Sequence, residues 1–181
     1  MKYDQTIITP KGLAVHIRNG AASDGSAVLE NFNLTHAETN YLLSYPDENH
    51  FDAEQESQYL EKKAASPNEI ELIAFVDGKV AGTAGIDAIG LQYKVAHRAE
   101  FGISILKDYW GLGIGRALME ACIQCARNAG YAQLELDVVA ENTRAISMYQ
   151  MAGFVEYGRN PKGFRSRNAG YQELISMRLE L

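Results

Sequence analysis

The run Phe101-Gly102-Ile103-Ser104-Ile105-Leu106-Lys107-Asp108-Tyr109-Trp110-Gly111-Leu112-Gly113-Ile114-Gly115-Arg116-Ala117-Leu118 carries more architectural information than any other part of the chain. A strand predicted over Ala99 to Leu106 enters a loop holding Gly111, Gly113 and Gly115, and the loop opens directly into a helix. That helix is predicted over Ile114 to Asn128, with Ile114, Ala117, Leu118, Ala121, Cys122 and Cys125 on one face at the helical period. Glycines allow close backbone approach and dihedral angles that other residues avoid. The first helical N–H groups lack internal partners and lie at the positive end of the helix dipole. Together these features make an anion cradle, most often for phosphate or pyrophosphate. Two common phosphate loops are excluded. No Lys-Ser/Thr pair follows the glycines, and the dinucleotide pattern begun by Gly111 and Gly113 would need glycine where Arg116 stands. A turn that serves only tight strand–helix packing would read the same way over this stretch.

Downstream, Gly130 closes the helix, and Gln133 to Val139 alternates apolar and polar residues as a strand does. A short helix follows over Asn142 to Met151, closed by Gly153, then a strand over Phe154 to Tyr157. A glycine-rich basic loop from Gly158 to Gly170 leads to a last strand, Tyr171 to Leu179. Upstream, Asp77-Gly78 joins strands Ile70 to Val76 and Lys79 to Ile89 by the strongest short hairpin signal in the chain. Before them come a strand over Leu13 to Arg18 and a helix starting near Gly25 behind the Ser23-Asp24 cap. Thr35 to His50 reads as irregular, and Ala53 to Ala64 as a polar helix ended by Ser66-Pro67-Asn68. The order is strand, two helices, three strands, helix, strand, helix, two strands, which predicts one mixed α/β domain over residues 1–181.

Composition narrows the function. The chain has 181 residues, 46% hydrophobic and 22% charged, in the range of a folded protein, and a formal net charge of -6. An acidic balance argues against a nucleic-acid partner, which needs a basic face. No run approaches the roughly 20 apolar residues that span a bilayer, and no signal peptide is visible, so a cytoplasmic location is expected. Only Cys122 and Cys125 are present; they fall mid-helix on the apolar face and read as core thiols, with no metal expected. The nine acids between Arg18 and Lys62 have no Lys or Arg among them, and the other residues sum to +3. Such a run is either a solvated face or an anionic rim that attracts a cationic substrate such as an amine. Tyr41, Tyr45, Phe51 and Tyr59 add aromatic surface to the same region. Lys162, Arg165 and Arg167 read as solvated loop charge, or as contacts to an acidic group, and His36 and His50 as surface positions.

Asn142-Thr143-Arg144-Ala145-Ile146-Ser147-Met148-Tyr149-Gln150-Met151-Ala152-Gly153-Phe154 decides among the anions the cradle could hold. With it the chain resembles the GNAT superfamily of acetyl-CoA-dependent N-acyltransferases. Trp110-Gly111-Leu112-Gly113-Ile114-Gly115 stands for the family's Gln/Arg-x-x-Gly-x-Gly/Ala segment, and Asn142, Ala145, Tyr149, Gly153 and Phe154 for its Asn…Ala…Tyr…Gly-Phe segment. Trp110 departs from the usual Gln or Arg. The resemblance implies a mostly antiparallel mixed sheet flanked by helices, with the strand before the glycine loop splayed from the strand after the helix. It implies acetyl-CoA as co-substrate, with its arm along Ile103, Ser104 and Ile105 in the splay. Its pyrophosphate would rest on amides of Gly111, Leu112, Gly113, Ile114, Gly115 and Arg116, and Asn142 would hydrogen-bond it. Tyr149 would protonate the departing thiolate. The general base would be Glu100, then Asp137, then His97. The expected partner is a small-molecule amine, not nucleic acid or membrane; a homodimer stays open. Acetylation of a protein N-terminus or lysine, or acetyl-CoA binding without catalysis, are the alternatives.

Overall fold

The computed structural model describes residues Met1–Leu181. Eight strands form one sheet: β1 (Asp4–Ile8), β2 (Ala14–Asn19), β3 (Ile70–Val76), β4 (Lys79–Ala88), β5 (Arg98–Ile105), β6 (Gln133–Val139), β7 (Val155–Ser166) and β8 (Gly170–Glu180). Four helices accompany them: α1 (Gly25–Glu38), α2 (Ala53–Ala65), α3 (Ile114–Asn128) and α4 (Thr143–Met151). The spatial order is β1-β2-β3-β4-β5-β6-β8-β7. Every neighbouring pair is antiparallel except β5 and β6. Asp77 and Gly78, with φ of 48° and 77°, make the tight β3–β4 turn. Asp52 caps α2, accepting from the N–H groups of Glu54 and Gln55. No helix is long and apolar enough to cross a membrane.

The sheet has two unlike faces. On one, α3 and α4 cover the main core, in which Ile70, Leu72, Ala84, Ile86, Phe101, Leu118, Leu134 and Met177 are buried. The other face carries α1 and α2 over a small cluster of Val28, Leu60 and Ile73.

Strands β5 and β6 part early. β4 and β5 pair over seven positions, from Gly82↔Ile105 to Ala88↔Ala99, whereas β5 and β6 pair over three, ending at Glu100↔Glu135. Beyond that point β6 keeps its full ladder with β8 and leaves β5 with a free edge. The expected splay is therefore present.

Several predicted boundaries moved. β1 was not predicted; its Asp-Gln-Thr run carries no apolar alternation and becomes a strand only by pairing with β2. α1 continues to Glu38 through what reads as irregular sequence, and this buries His36, which stacks on Phe32 at 3.6 Å between ring centres. Burial lowers the pKa of that imidazole. The basic segment after Tyr157 is strand, not loop: β7 runs twelve residues to Ser166. Two register shifts absorb Pro161 and the glycines that hide its alternation. Gly163 is needed there, since a Cβ at that position would stand 2.4 Å from Leu174 Cγ.

Candidate active site

The glycine loop after β5 leads through Gly111 and Gly113, with φ of 76° and 91°, into the N-terminus of α3. None of the six backbone N–H groups from Gly111 to Arg116 donates to a protein acceptor; the first helical bond runs from Ala117 N–H to Gly113 C=O at 3.1 Å. A Cβ on Gly113 would lie 3.1 Å from Thr9 Cβ, and one on Gly115 would lie 3.1 Å from Ile105 Cδ1, so the loop is packed tightly from below. Above it opens a cleft of about 500 Å³ lined by the loop, the end of β5, and Asn142, Met148 and Tyr149 of the α4 segment.

The free edge of β5 borders this cleft. Leu106 N–H donates to Ala81 C=O at 3.0 Å, which fixes the alternation of the β4–β5 ladder. Ser104 and Gly102 turn their backbone groups to β4, and Ile103 and Ile105 turn theirs into the splay. Ser104 thus lines the cleft by its side chain. The Trp110 indole N–H occupies the Ile105 carbonyl at 2.8 Å, leaving Ile105 N–H and both groups of Ile103 free. The Arg144 guanidinium lies 5.2 Å from the centre of the Trp110 ring at the same mouth. Asn142 caps α4, its Oδ1 accepting from Ala145 N–H at 3.3 Å, so its Nδ2 remains as a donor. Tyr149 is only 6% exposed, packed edge-on against Phe101 with 6.2 Å between ring centres. Burial raises its pKa, so the phenol stays protonated near neutral pH.

A second cleft, of about 430 Å³, adjoins the first under α1 and α2, and the two share Leu42, Ile103 and Ser104. Its walls include Phe32, Phe51 and Tyr59, and its floor carries Glu56, Glu71 and Asp87. Burial pushes the Glu71 carboxyl up to about 7, against the neighbouring Thr83 hydroxyl and the charge of Lys63, which lower it. Burial also raises Glu56. The Lys63 ammonium is sequestered, donating to Asp87 and to the Ile86 carbonyl.

Of the acids between Arg18 and Lys62, only Glu56 reaches this cleft. The run is also less uncompensated than its sequence suggests. Arg18 binds Asp24, and Arg167 reaches across from the β7–β8 turn to Asp47 at 2.8 Å. The Arg167 N–H donates to Tyr45 Oη at 2.9 Å and its guanidinium lies 4.1 Å from the centre of that ring, so it clasps the α1–α2 segment.

Among the predicted bases, Glu100 and Asp137 share the α1/α2 side of the sheet with this cleft but line neither cavity. Burial, then the charges of Asp137, Asp87 and Glu135, raise the Glu100 pKa. Asp137 accepts from Ser176 Oγ at 2.6 Å. His97 is exposed at the far end of β5 from the glycine loop. Cys122 and Cys125 are buried in α3. Glu71 is not among the predicted site residues; its one signal in the sequence is that it is the single charge inside Ile70-Glu71-Leu72-Ile73-Ala74-Phe75-Val76.

The sequence profile of the Acetyltransferase (GNAT) family matches residues 34–154. The chain is 31% identical over 118 residues to the L-amino acid N-acetyltransferase AaaT of Escherichia coli, covering 65% of this chain and 72% of that protein. A crystal structure of a GNAT-family acetyltransferase from Streptococcus pneumoniae superposes with a TM-score of 0.88 at 30% identity, over 92% of this chain and 99% of that one. A ribosomal-protein-alanine N-acetyltransferase from Brucella melitensis superposes at 0.80 with 25% identity, over 91% and 99%. The fold is shared too with a Salmonella typhimurium structure that contains its cofactor acetyl-CoA, at a TM-score of 0.81 and 20% identity over 92% and 94%. The chain belongs to the GNAT acetyltransferase family. It is an acyltransferase, of a family that takes its acetyl group from acetyl-CoA. The residues present fit that donor: consecutive unpartnered amides at a helix N-terminus suit a diphosphate, and an unpaired strand edge suits an arm rich in amides.

Proposed function

We propose that the protein transfers an acetyl group from acetyl-CoA to the primary amine of a small cationic molecule, by direct attack while both are bound. The observation that carries this reading is the junction at Ile103 and Ser104 of a cleft of free amides with a cleft of carboxylates and aromatic rings. Acetyl-CoA supplies the acetyl group as a thioester. The amides of Gly111, Leu112, Gly113, Ile114, Gly115 and Arg116 hold the diphosphate, and the edge of Ile103 and Ile105 aligns the arm, with Ser104 beside it. Asn142 donates to it through Nδ2. Tyr149 gives its hydroxyl proton to the departing sulfur, a task suited to a phenol kept neutral by burial. The carboxylates attract a cationic acceptor, and the ring faces of Phe51 and Tyr59 favour it further. Glu100 and Asp137, on the same side of the sheet, are candidate proton acceptors together with the acids of the floor.

Release of free coenzyme A tests this against putrescine, glucosamine, an amino-acid amide, L-glutamate and a peptide beginning with alanine. Turnover is expected for the first three. Preference for L-glutamate overturns the charge argument, and preference for the peptide replaces the small amine by a protein N-terminus.

A further inference from the structure

Glu71 on β3, Gly85 on β4 and Gly102 on β5 occupy one row across the sheet, through the register pairs Glu71↔Gly85 and Gly85↔Gly102. All three face the acceptor cleft. A Cβ on Gly85 would lie 2.3 Å from Glu71 Oε2, whereas one on Gly102 would meet nothing within 4 Å. The carboxyl of Glu71 therefore leans over the bare backbone of β4, and the row continues as an open trough to β5. Neighbouring strands lie about 4.8 Å apart, so the carboxyl stands roughly one strand from the Gly102 backbone and from the splay beside it.

The neighbours leave this carboxyl without a full ionic partner. Thr83 on β4 lies beside it in the same cleft. Asp87 on β4 and Glu56 and Tyr59 on α2 face it, and Lys63 on α2 is engaged by Asp87 and Ile86. Cys122 approaches from α3 on the opposite face. By contrast, Glu135 is bound by Arg98 in a two-pronged pair, and Glu100 lines neither cleft.

Building on the function proposed above, we propose that Glu71 is the catalytic residue that deprotonates the acceptor, holding its ammonium group over Gly85 and Gly102 and taking one proton onto Oε2. An N–H bond breaks and an O–H bond forms, and the freed lone pair attacks the thioester carbon at β5. A C–N bond forms, the C–S bond breaks, and the sulfur takes the Tyr149 proton. The second proton leaving the nitrogen restores the Tyr149 hydroxyl through solvent, and Glu71 releases its proton to water. A carboxyl titrating near neutrality suits this exchange, because a good part of it is ionised near pH 7 yet it still holds a proton strongly enough to take it.

The test uses the full chain, acetyl-CoA and the best acceptor of the panel above. Wild-type kcat should rise with pH and level off above about 7. Glu71→Gln should lower kcat by roughly 100-fold or more and abolish that limb, with coenzyme A affinity within about twofold by calorimetry. Gly102→Ala, which meets open space, should raise KM for the amine by about tenfold by filling the trough. If Glu71→Gln keeps the wild-type kcat and pH limb while Glu100→Gln or Asp137→Asn loses them, proton acceptance belongs to one of those two and the proposal is wrong. A wild type that binds coenzyme A yet acetylates no amine of the panel instead overturns the functional reading on which the proposal rests.

Discussion

The two clefts that meet at Ile103 and Ser104 are made of different materials. The donor cleft is backbone: a run of free N–H groups and the unpaired edge of one strand. The acceptor cleft is side chain, assembled from α1, α2, β3, β4 and β5, with carboxyls and rings as its working parts. Peptide groups are the same in every sequence, so the first cleft needs only a fold and a few glycines. Retuning the second takes single substitutions. A family that keeps its donor and varies its acceptor would be expected to divide the labour this way.

Tyr149→Phe tests the division most severely, because in the proposed reaction Tyr149 is the one side chain of the donor cleft that takes part in the chemistry. Removing only the hydroxyl should leave the edge-on packing on Phe101 intact, so melting temperature and coenzyme A affinity should hold. Turnover should fall by about 100-fold, or about 2.7 kcal/mol in barrier. Unchanged kcat would remove the phenol from the mechanism and leave the donor cleft wholly backbone.

Glu71→Gln should move stability and activity in opposite directions. The folded-state pKa is raised to about 7 from the ordinary 4.5, so between those values the native state binds more protons than the unfolded chain. Stability drawn from this group is therefore present in full below about pH 4.5, declines as pH rises to about 7, and stays at its low level above. Glutamine has no charge to desolvate. At pH 8 the variant should be more stable than wild type by about 3 kcal/mol, and at pH 4 by almost nothing, as urea titrations at the two pH values would reveal. Equal stability at pH 8 would mean the cleft floor is as well hydrated as open solvent.

Gly113→Ala attacks the backbone cleft directly. Its φ of 91° strains any Cβ, and that Cβ would press on Thr9 at 3.1 Å. The loop must shift, and KM for acetyl-CoA should rise about tenfold, near 1.4 kcal/mol, with kcat at saturation little changed. A loss confined to kcat would contradict a diphosphate cradle.

The same contrast explains what could be read from the sequence. α3 and β6 have the predicted bounds, and β3 and the glycine loop follow prediction, because periodicity, punctuation and chain-local N–H geometry suffice for them. Elements defined by a partner were harder. β1 exists through its pairing with β2, and β7 through β8, whose long hairpin hides behind Pro161 and Gly163. His36 reads as surface because it stacks on Phe32, one turn earlier, only when α1 continues past Thr35. The second cleft is legible only in part, for a related reason: Phe51, Glu56 and Tyr59 line it as the charge and rings of that region suggest, whereas the other acids of the run do not. Charge along the chain points to the stretch between Arg18 and Lys62, whereas Arg18 and Arg167 neutralise part of that stretch by pairing with Asp24 and Asp47, and the sheet supplies Glu71 and Asp87 to the cleft.

Arg116→Ala should have the smallest effect, and its smallness is informative. Arg116 sits in the first turn of α3 with its N–H among the free amides, while its guanidinium pairs with Glu120 at 2.7 Å on an exposed face. Alanine keeps the N–H and the helix. An exposed pair four residues apart contributes about 0.3–0.5 kcal/mol, so stability should change by no more than that. If the cradle works through peptide groups, coenzyme A affinity measured by calorimetry should fall by less than about threefold, and the loss should vanish in high salt, where only long-range attraction is screened. A tenfold or greater loss that persists in salt would assign the diphosphate to a side chain, and the donor cleft would then be open to the same single-residue retuning as the acceptor cleft.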